Sequence, residues 1–385
     1  MFKVLVWDYT GISAQWLEKI ADMKDMEIVG TIKPSEPVPQ ILLETDKWNW
    51  LLIFEQGARN FFDITVEILN LPKDKIIYAY DINSWLQNPK ATFALIKPAS
   101  EGGVIYRNLS FAISRQLSKF ITCTVDGISY IATSTDNYII RPMYIGGKNH
   151  AANSMQIFNA LSKKYYNVDE STGYFLDLGA NIGTTCIYFS KKFAPNLKAL
   201  AFEPDAENFK LLRTNLILND MENKIFAVNY GLGNKFDEMT MYRDLENPGH
   251  NNFTDPKDNV PTETIKIIPL DSYLDENKIA SGEIKYIWID TEGFEPQVLL
   301  GAKNLLRENP APIFMECNLR AWDKSGVFEE MMALLAENYS HFILVTMSSG
   351  IKNLYPLDAL RTMERPNNPL GQIGDIFLIR RGAID

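Results

Sequence analysis

The sequence predicts an α/β protein whose larger part is a doubly wound, Rossmann-like sheet preceded by a small α/β domain. Three observations carry this. From residue 173 to the end, apolar runs of strand length alternate with segments of helical period. One strand–helix turn, YFLDLGANIG at 174–183, holds an acid and two glycines. A second acid, Glu203, closes the next apolar run, KALAFEP, twenty residues past Gly183.

In chain order, Lys3–Trp7, Glu27–Thr31, Leu51–Phe54 and Lys75–Tyr80 read as strands, with amphipathic segments at Ala14–Met23 and Phe62–Leu69. Residues 1–97 therefore form a first domain. Its opening turn, WDYTGIS, lacks the glycines of a dinucleotide site, and its tryptophans (Trp7, Trp16, Trp48, Trp50, Trp85) are read as core. A docking or architectural role, such as holding a homo-oligomer together, is expected of it. Residues 98–172 read as a linker, a hairpin and a cap. Two alternating runs at 121–133 are joined by Asp126-Gly127, a hairpin turn signal, and a helical stretch follows at His150–Lys164. Residues 173–385 form the third segment. Its strands are Tyr174–Leu178, Leu197–Phe202, Ile225–Val228, Ile284–Ile289, Pro312–Glu316, Phe342–Met347 and Asp375–Arg380. Its helices are Thr184–Phe193, Ala206–Leu218, Pro296–Leu306 and Val327–Glu337.

Composition excludes several classes. A formal charge of −10 without a basic block disfavours a nucleic-acid partner. Cys123, Cys186 and Cys317 show no CxxC spacing, so neither a disulfide framework nor a metal site is expected. The opening MFKVLVWDYTG meets Asp8 too early for a signal peptide, and no apolar stretch approaches membrane-spanning length. A soluble, cytoplasmic protein without a membrane partner is the expectation.

The turn at 174–183 describes a nucleoside cofactor pocket. Gly179 permits a tight turn off the strand, Asn181 tolerates a turn conformation, and Gly183 lets the helix start pack closely. Glu203 is placed to accept both hydrogen bonds from a ribose diol. Asp177 occupies the first position of what would be a GxGxxG turn, where its charge opposes a diphosphate. The cationic sulfonium and ammonium of S-adenosylmethionine suit an acid there.

A second constellation, IWIDTEGFEPQVLL at 287–300, ends a central strand with Asp290 and places Glu292 and Gly293 in the following turn. Glu295 opens the next helix, where an acid favours the helix dipole. Taken together, YFLDLGANIGTT, AFEPDAENFKLLRTNLILN, IDTEGFEPQVLLGAKNLL and IFMECN resemble the FkbM family of S-adenosylmethionine-dependent methyltransferases, over roughly residues 120–380. The resemblance does not reach residues 1–97. It implies a class I methyltransferase fold and O-methylation of a hydroxyl on a sugar, polysaccharide precursor or secondary metabolite. It assigns Asp177, Gly179, Asn181 and Gly183 to the first cofactor motif, Glu203 to the ribose, Pro204 to the adenine edge and Asn229 to its far side. The DTEG turn stands where the family usually shows DVEG.

An alcohol acceptor needs a positioned base. Asp290, Glu292 and His250 (in PGHNNF) are the candidates, and Glu316 and Asn318 are candidates for contacting substrate. Two other readings compete: a nicotinamide-dependent oxidoreductase, and a non-catalytic scaffold that retains a cofactor fold.

Overall fold

Strands buried on both faces need unbroken apolar runs, and this chain supplies them at the centres of two separate sheets. The structure, a computed structural model, describes residues 2–8, 26–33, 39–55, 59–78, 104–243, 261–345, 353–365 and 374–384. The chain divides into two units: Met1–Lys119 with Tyr144–Gly146, and Phe120–Met143 with Gly147–Asp385. Among the described residues, no helix is long and apolar enough to cross a membrane.

The first unit holds β1 (Phe2–Asp8), β2 (Met26–Ile32), α1 (Gln40–Leu43), β3 (Trp50–Phe54), α2 (Arg59–Ile68), β4 (Ile76–Tyr78) and α3 (Val104–Leu117). Its four strands are parallel in the order β2-β1-β3-β4. Every residue of β3 is buried, and Trp7, Trp48 and Trp50 lie in the core. The amphipathic stretch expected at Ala14–Met23, with Trp16 and Trp85, lies outside the described residues.

The second unit opens with β5 (Phe120–Val125) and β6 (Ile128–Thr133), then α4 (Ile140–Gly146), whose last three residues are assigned to the first unit, and α5 (Ala152–Tyr165). The alternating part follows: β7 (Tyr174–Leu178), α6 (Thr184–Lys192), β8 (Lys198–Phe202), α7 (Ala206–Leu218) and β9 (Ile225–Val228). Next come β10 (Gly231–Leu232), β11 (Asp237–Tyr242), β12 (Thr262–Ile268), α8 (Leu270–Glu276) and β13 (Ile284–Ile289). The chain continues through α9 (Glu295–Leu300), α10 (Lys303–Glu308), β14 (Ile313–Cys317), α11 (Leu319–Lys324) and α12 (Phe328–Asn338). It ends with β15 (Tyr339–Val345), β16 (Asn353–Pro356), α13 (Ala359–Thr362) and β17 (Gly374–Arg380).

The main sheet runs β16-β15-β17-β14-β13-β7-β8-β9. It is parallel from β14 to β9, with β17 inserted antiparallel between β14 and β15. The doubly wound sheet expected above is thus present, with β17 as an antiparallel insertion. The chain starts at β7, winds outward to β9, then crosses back to β13, so the switch point lies between β7 and β13, where ligands bind in such sheets.

The two-residue period of the central strands sorts the faces. Phe175 of β7, Tyr286 and Trp288 of β13, and Phe314 of β14 face α5 and α6. There Phe158 of α5 makes ring contacts with Phe189, Tyr286, Trp288, Phe314 and Phe377. Leu176, Leu178, Ile287, Ile289, Ile313 and Met315 face the other way, into the cluster with Val298, Leu305 and Met331 of α9, α10 and α12. Asp177 falls on the aromatic face by this alternation.

The hairpin turns at Asp126 (φ 53°) and Gly127 (φ 76°), the paired positive angles that the Asp-Gly signal predicts. Its free edge is held by two side-chain amides, one within α7 and one at its C-cap. Asn215 accepts from Ile131 N at 2.7 Å and donates to Ile131 O at 3.1 Å. Asn219 accepts from Ser129 N at 3.1 Å and donates to Ser129 O at 2.7 Å. The spacing fits because four helical residues rise about 6 Å and two strand residues about 6.7 Å. Two asparagines at i and i+4 thus stand in for a neighbouring strand.

Two local expectations change. The single helix expected at Pro296–Leu306 is broken into α9 and α10 at Gly301. A Cβ there would lie 2.0 Å from the Gly233 carbonyl, so the chain turns where only glycine fits. The sheet β10-β12-β11, built between β9 and β13, was not anticipated.

Candidate active site

The first cofactor turn is built by the backbone. Gly179 N and Ala180 N donate to Phe202 O at 3.0 and 2.8 Å, tying the end of β7 to the end of β8. On the other side, Asp290 N donates to Leu178 O at 2.9 Å. Gly179 sits at φ +95°, and a Cβ on it would lie 1.8 Å from the Asp290 carbonyl oxygen. Asn181 takes a left-handed φ of 49°. Gly183 (φ +87°) approaches Leu212 of α7, whose Cδ1 a Cβ would meet at 2.7 Å.

Glu203 follows β8 and turns its carboxylate back to this loop. Oε2 accepts from Asn181 N and Oε1 from Asp205 N, both at 2.8 Å. Each oxygen keeps further acceptor capacity. Burial dominates the amides and pushes the carboxyl up to about 8. Asp205 also caps α7, accepting from Glu207 N and Asn208 N, and takes Arg243 Nε at 2.6 Å.

Gly179, Asn181, Glu203, Pro204, Asp290 and Glu292 line one cleft, together with Ala180, Thr184, Thr185, Asn208, Tyr230, Leu232, Thr291 and Phe294. The other expected cofactor residues stand behind it. Asp177 is fully buried on the aromatic side of β7 and does not line the cleft; its Oδ2 accepts from Cys186 N of α6 at 3.0 Å. Its Oδ1 has no hydrogen-bond partner, and burial pushes the carboxyl up to about 7. Asp177 thus fixes the helix start rather than facing a ligand, because strand alternation turns it away. Asn229 is exposed and donates to Glu203 O and Pro204 O, both at 2.9 Å, bracing the segment that carries Glu203.

The second constellation brings Asp290, Glu292 and Glu316 together, with carboxyl oxygens within 4.8 Å of one another. Such a set of hard oxygens has the chemistry to hold a divalent cation or to bind hydroxyl donors. Asp290 is open to the cleft yet closely surrounded by protein. Burial first, and then Glu292 and Asp375, raise it well above the ordinary carboxylate range. Burial and the same neighbouring charges raise Glu316, and burial pushes Asp375 up to about 7. Asn318 caps α11, accepting from Ala321 N at 3.1 Å. His250 lies outside the described residues.

The turn carrying Glu292 is held by Glu295. Glu292 (φ 53°) and Gly293 (φ 90°) form a left-handed pair, and the side chain of Glu295 folds back beneath them. Its Oε1 accepts from Thr291 N, Thr291 Oγ1 and Gly293 N at 2.9, 3.0 and 3.2 Å, and Oε2 from Trp322 Nε1 at 2.7 Å. The helix-dipole reading of this acid is therefore secondary to its use as a clamp. Glu295→Ala leaves these donors buried without an acceptor and is expected to cost on the order of 3–5 kcal/mol. Urea unfolding measures it; a loss below about 1 kcal/mol would contradict the clamp.

Sequence reasoning missed the segment that precedes β7. Tyr138, Ile139 and His150 line the same cleft. Asp136 places the first two by accepting from Tyr138 N and Ile139 N at 2.8 Å and Ile140 N at 3.2 Å. Asn149 places the third. It donates to Tyr130 Oη at 3.0 Å and Thr184 O at 3.2 Å, while its own Oδ1 accepts from Ala151 N at 2.8 Å. Burial lowers the His150 pKa, with Asp136 opposing. Its only sequence signal was being one of three histidines, just ahead of a helix.

The family comparison falls on the same turns. Residues 177–341 match the family model described as methyltransferase FkbM domain. Methyltransferase sdnD of Sordaria araneosa is 25% identical over 194 residues, covering 43% of this chain and 73% of that protein. Among solved structures, the chain is similar to methyltransferase FkbM from Methylobacillus flagellatus KT. That likeness has 14% identity and a TM-score of 0.35, and covers 92% of this chain and 89% of that one. It is also similar to the O-methyltransferase from Bacillus cereus in complex with SAH, at 11% identity and a TM-score of 0.32, covering 63% of this chain and 98% of that one. The motif turn, the strand order and the family match coincide on one stretch of chain: residues 177–341 match an FkbM methyltransferase domain.

Proposed function

We propose that the protein is an S-adenosylmethionine-dependent O-methyltransferase acting on a hydroxyl of a sugar, polysaccharide precursor or secondary metabolite. The observation that carries the cofactor is the pair of strand ends at the switch point. Glu203, preset by two backbone amides, faces the same cleft as Asp290 and Glu292.

The residues present fit the cofactor. Glu203 would accept from the ribose hydroxyls. Pro204, Tyr230 and Leu232 would flank the adenine, while Asp290 offers a carboxylate to the positive charges. A nicotinamide dinucleotide fits less well. Asp177, turned behind the loop, does not itself oppose a diphosphate; Asp290 and Glu292 do, and no Lys or Arg is among the described lining residues. Glu203, Asp290 and Glu292 lining one cleft also argue against a retired scaffold.

When bound, S-adenosylmethionine supplies an electrophilic methyl group on a sulfonium. The protein must hold an acceptor oxygen in line, keep water out and take the hydroxyl proton. Asp290 and Glu292 are suited to the last task. Asp290, whose proton affinity is raised by burial and by the neighbouring Glu292 charge, is a stronger base than an ordinary carboxylate. The same carboxylates accept hydrogen bonds from a polyhydroxylated acceptor, which supports the substrate class.

The free cysteines suit a reducing, cytoplasmic setting, and residues 1–97 are proposed to serve assembly into a homo-oligomer. Glu203→Ala is expected to weaken S-adenosylmethionine binding by roughly 10–100-fold while the fold survives. Calorimetric titration of both proteins checks this. Unchanged affinity would remove Glu203 from the site.

A further inference from the structure

The cleft carries an imbalance of charge. Of its described lining residues, Glu203, Asp290 and Glu292 are acids, and His150 alone can carry positive charge. That distribution suits a sulfonium and an ammonium but leaves the carboxylate of the cofactor's amino-acid part facing like charge. A carboxylate placed in such a cleft needs a donor of its own.

We propose that His150 is that donor: it binds the carboxylate of the amino-acid end of the cofactor. The inference rests on the cleft being an S-adenosylmethionine site and goes beyond it by assigning a residue from outside the family-matched stretch. The supporting geometry is the anchoring of His150 to the start of α6. Asn149, immediately before it, donates to Thr184 O at 3.2 Å, and Tyr130 Oη donates to the same carbonyl at 3.4 Å. Asn149 N is in turn fixed to Asp126 Oδ2 at 3.0 Å, and Ala151 N to Asn149 Oδ1 at 2.8 Å. The histidine therefore has neighbours locked on both sides and lines the same cleft as Thr184 and Thr185. Glu203 and Pro204 follow β8 and Tyr230 follows β9, the strand ends assigned above to the adenosine. The cofactor's zwitterion is thus bound with its carboxylate toward His150 and its ammonium toward Asp290. The lowered proton affinity of free His150 leaves a neutral ring that still donates one N–H, and an arriving carboxylate favours the protonated form.

The test uses S-adenosylhomocysteine and its decarboxylated analogue, which lacks the carboxylate alone. Both are titrated into the full chain, wild type, His150→Ala and His150→Gln, with circular dichroism as the check on folding. The wild type is expected to bind S-adenosylhomocysteine about tenfold or more tightly than the analogue. In His150→Ala that ratio falls to near one, because only the carboxylate-bearing ligand loses affinity, and His150→Gln, which retains an N–H donor, recovers part of it. A ratio unchanged in His150→Ala overturns the proposal while leaving the cofactor reading intact. Equal weakening of both ligands also overturns it, since it shows a role in shaping the cleft. Failure of the folded wild type to bind either ligand rejects the cofactor reading, and this assignment with it.

Discussion

Gly179→Ala is expected to abolish S-adenosylmethionine binding, by more than about 100-fold, and to destabilise the protein by on the order of 3 kcal/mol or more. Two effects combine. A side chain at φ +95° is strained in any surroundings, and here the added Cβ would lie 1.8 Å from the Asp290 carbonyl oxygen. The clash is with backbone, so no rotamer relieves it. Relief requires β7 and β13 to part at their carboxyl ends, which separates the cofactor turn from Asp290 and Glu292. Gly127→Ala is the matched control. Its φ is +76° but nothing lies within 4 Å of the added Cβ, so it carries the conformational cost, about 1 kcal/mol, without the clash. Equal losses of stability in the two variants would show that the close approach of the two strand ends is not what the glycine serves.

The protein without ligand is expected to become more stable on acidification from pH 8.5 to 5.5, by a few kcal/mol. Asp177 and Asp375 are held at about 7 and Glu203 at about 8, in each case by burial. In the unfolded chain such groups titrate near 4. Between these values the folded protein retains protons that the unfolded chain has released. Their contribution is therefore complete below the unfolded pKa and is lost as pH rises through the folded one. Surface acids paired with arginine, such as Asp323 and Glu337, are shifted down and act only at lower pH. Glu203→Gln removes one titrating group and should flatten the profile. Denaturant unfolding across this range measures it, and stability that is flat or falls toward pH 5.5 would contradict the burial of these carboxyls.

The strands of the main sheet and the glycines of its first turn could be read from the chain because both are local. An apolar run names a buried parallel strand, and Gly179 and Gly183 mark angles other residues avoid. Glu203 was legible because its position at a strand end fixes its direction. Asp177 was legible as an acid in the motif but not as one that faces away from the cleft, since that depends on the strand's two-residue alternation relative to α6. Glu295 shows the same limit. Its place at a helix start was evident, while its return to Thr291, Gly293 and Trp322 requires the tertiary structure. Asn215 and Asn219 carried no signal at all, because their function is to pair with Ser129 and Ile131, more than eighty residues earlier in the chain. His150 became a cleft residue only when α5 and α6 were brought together.

Separate calorimetric titrations of S-adenosylmethionine and NAD into the purified protein, repeated with Glu203→Ala, test the central claim most directly. Binding of S-adenosylmethionine in the micromolar range that Glu203→Ala weakens, with no signal from NAD, is the predicted result. Binding of NAD, or a folded protein indifferent to S-adenosylmethionine, would contradict it.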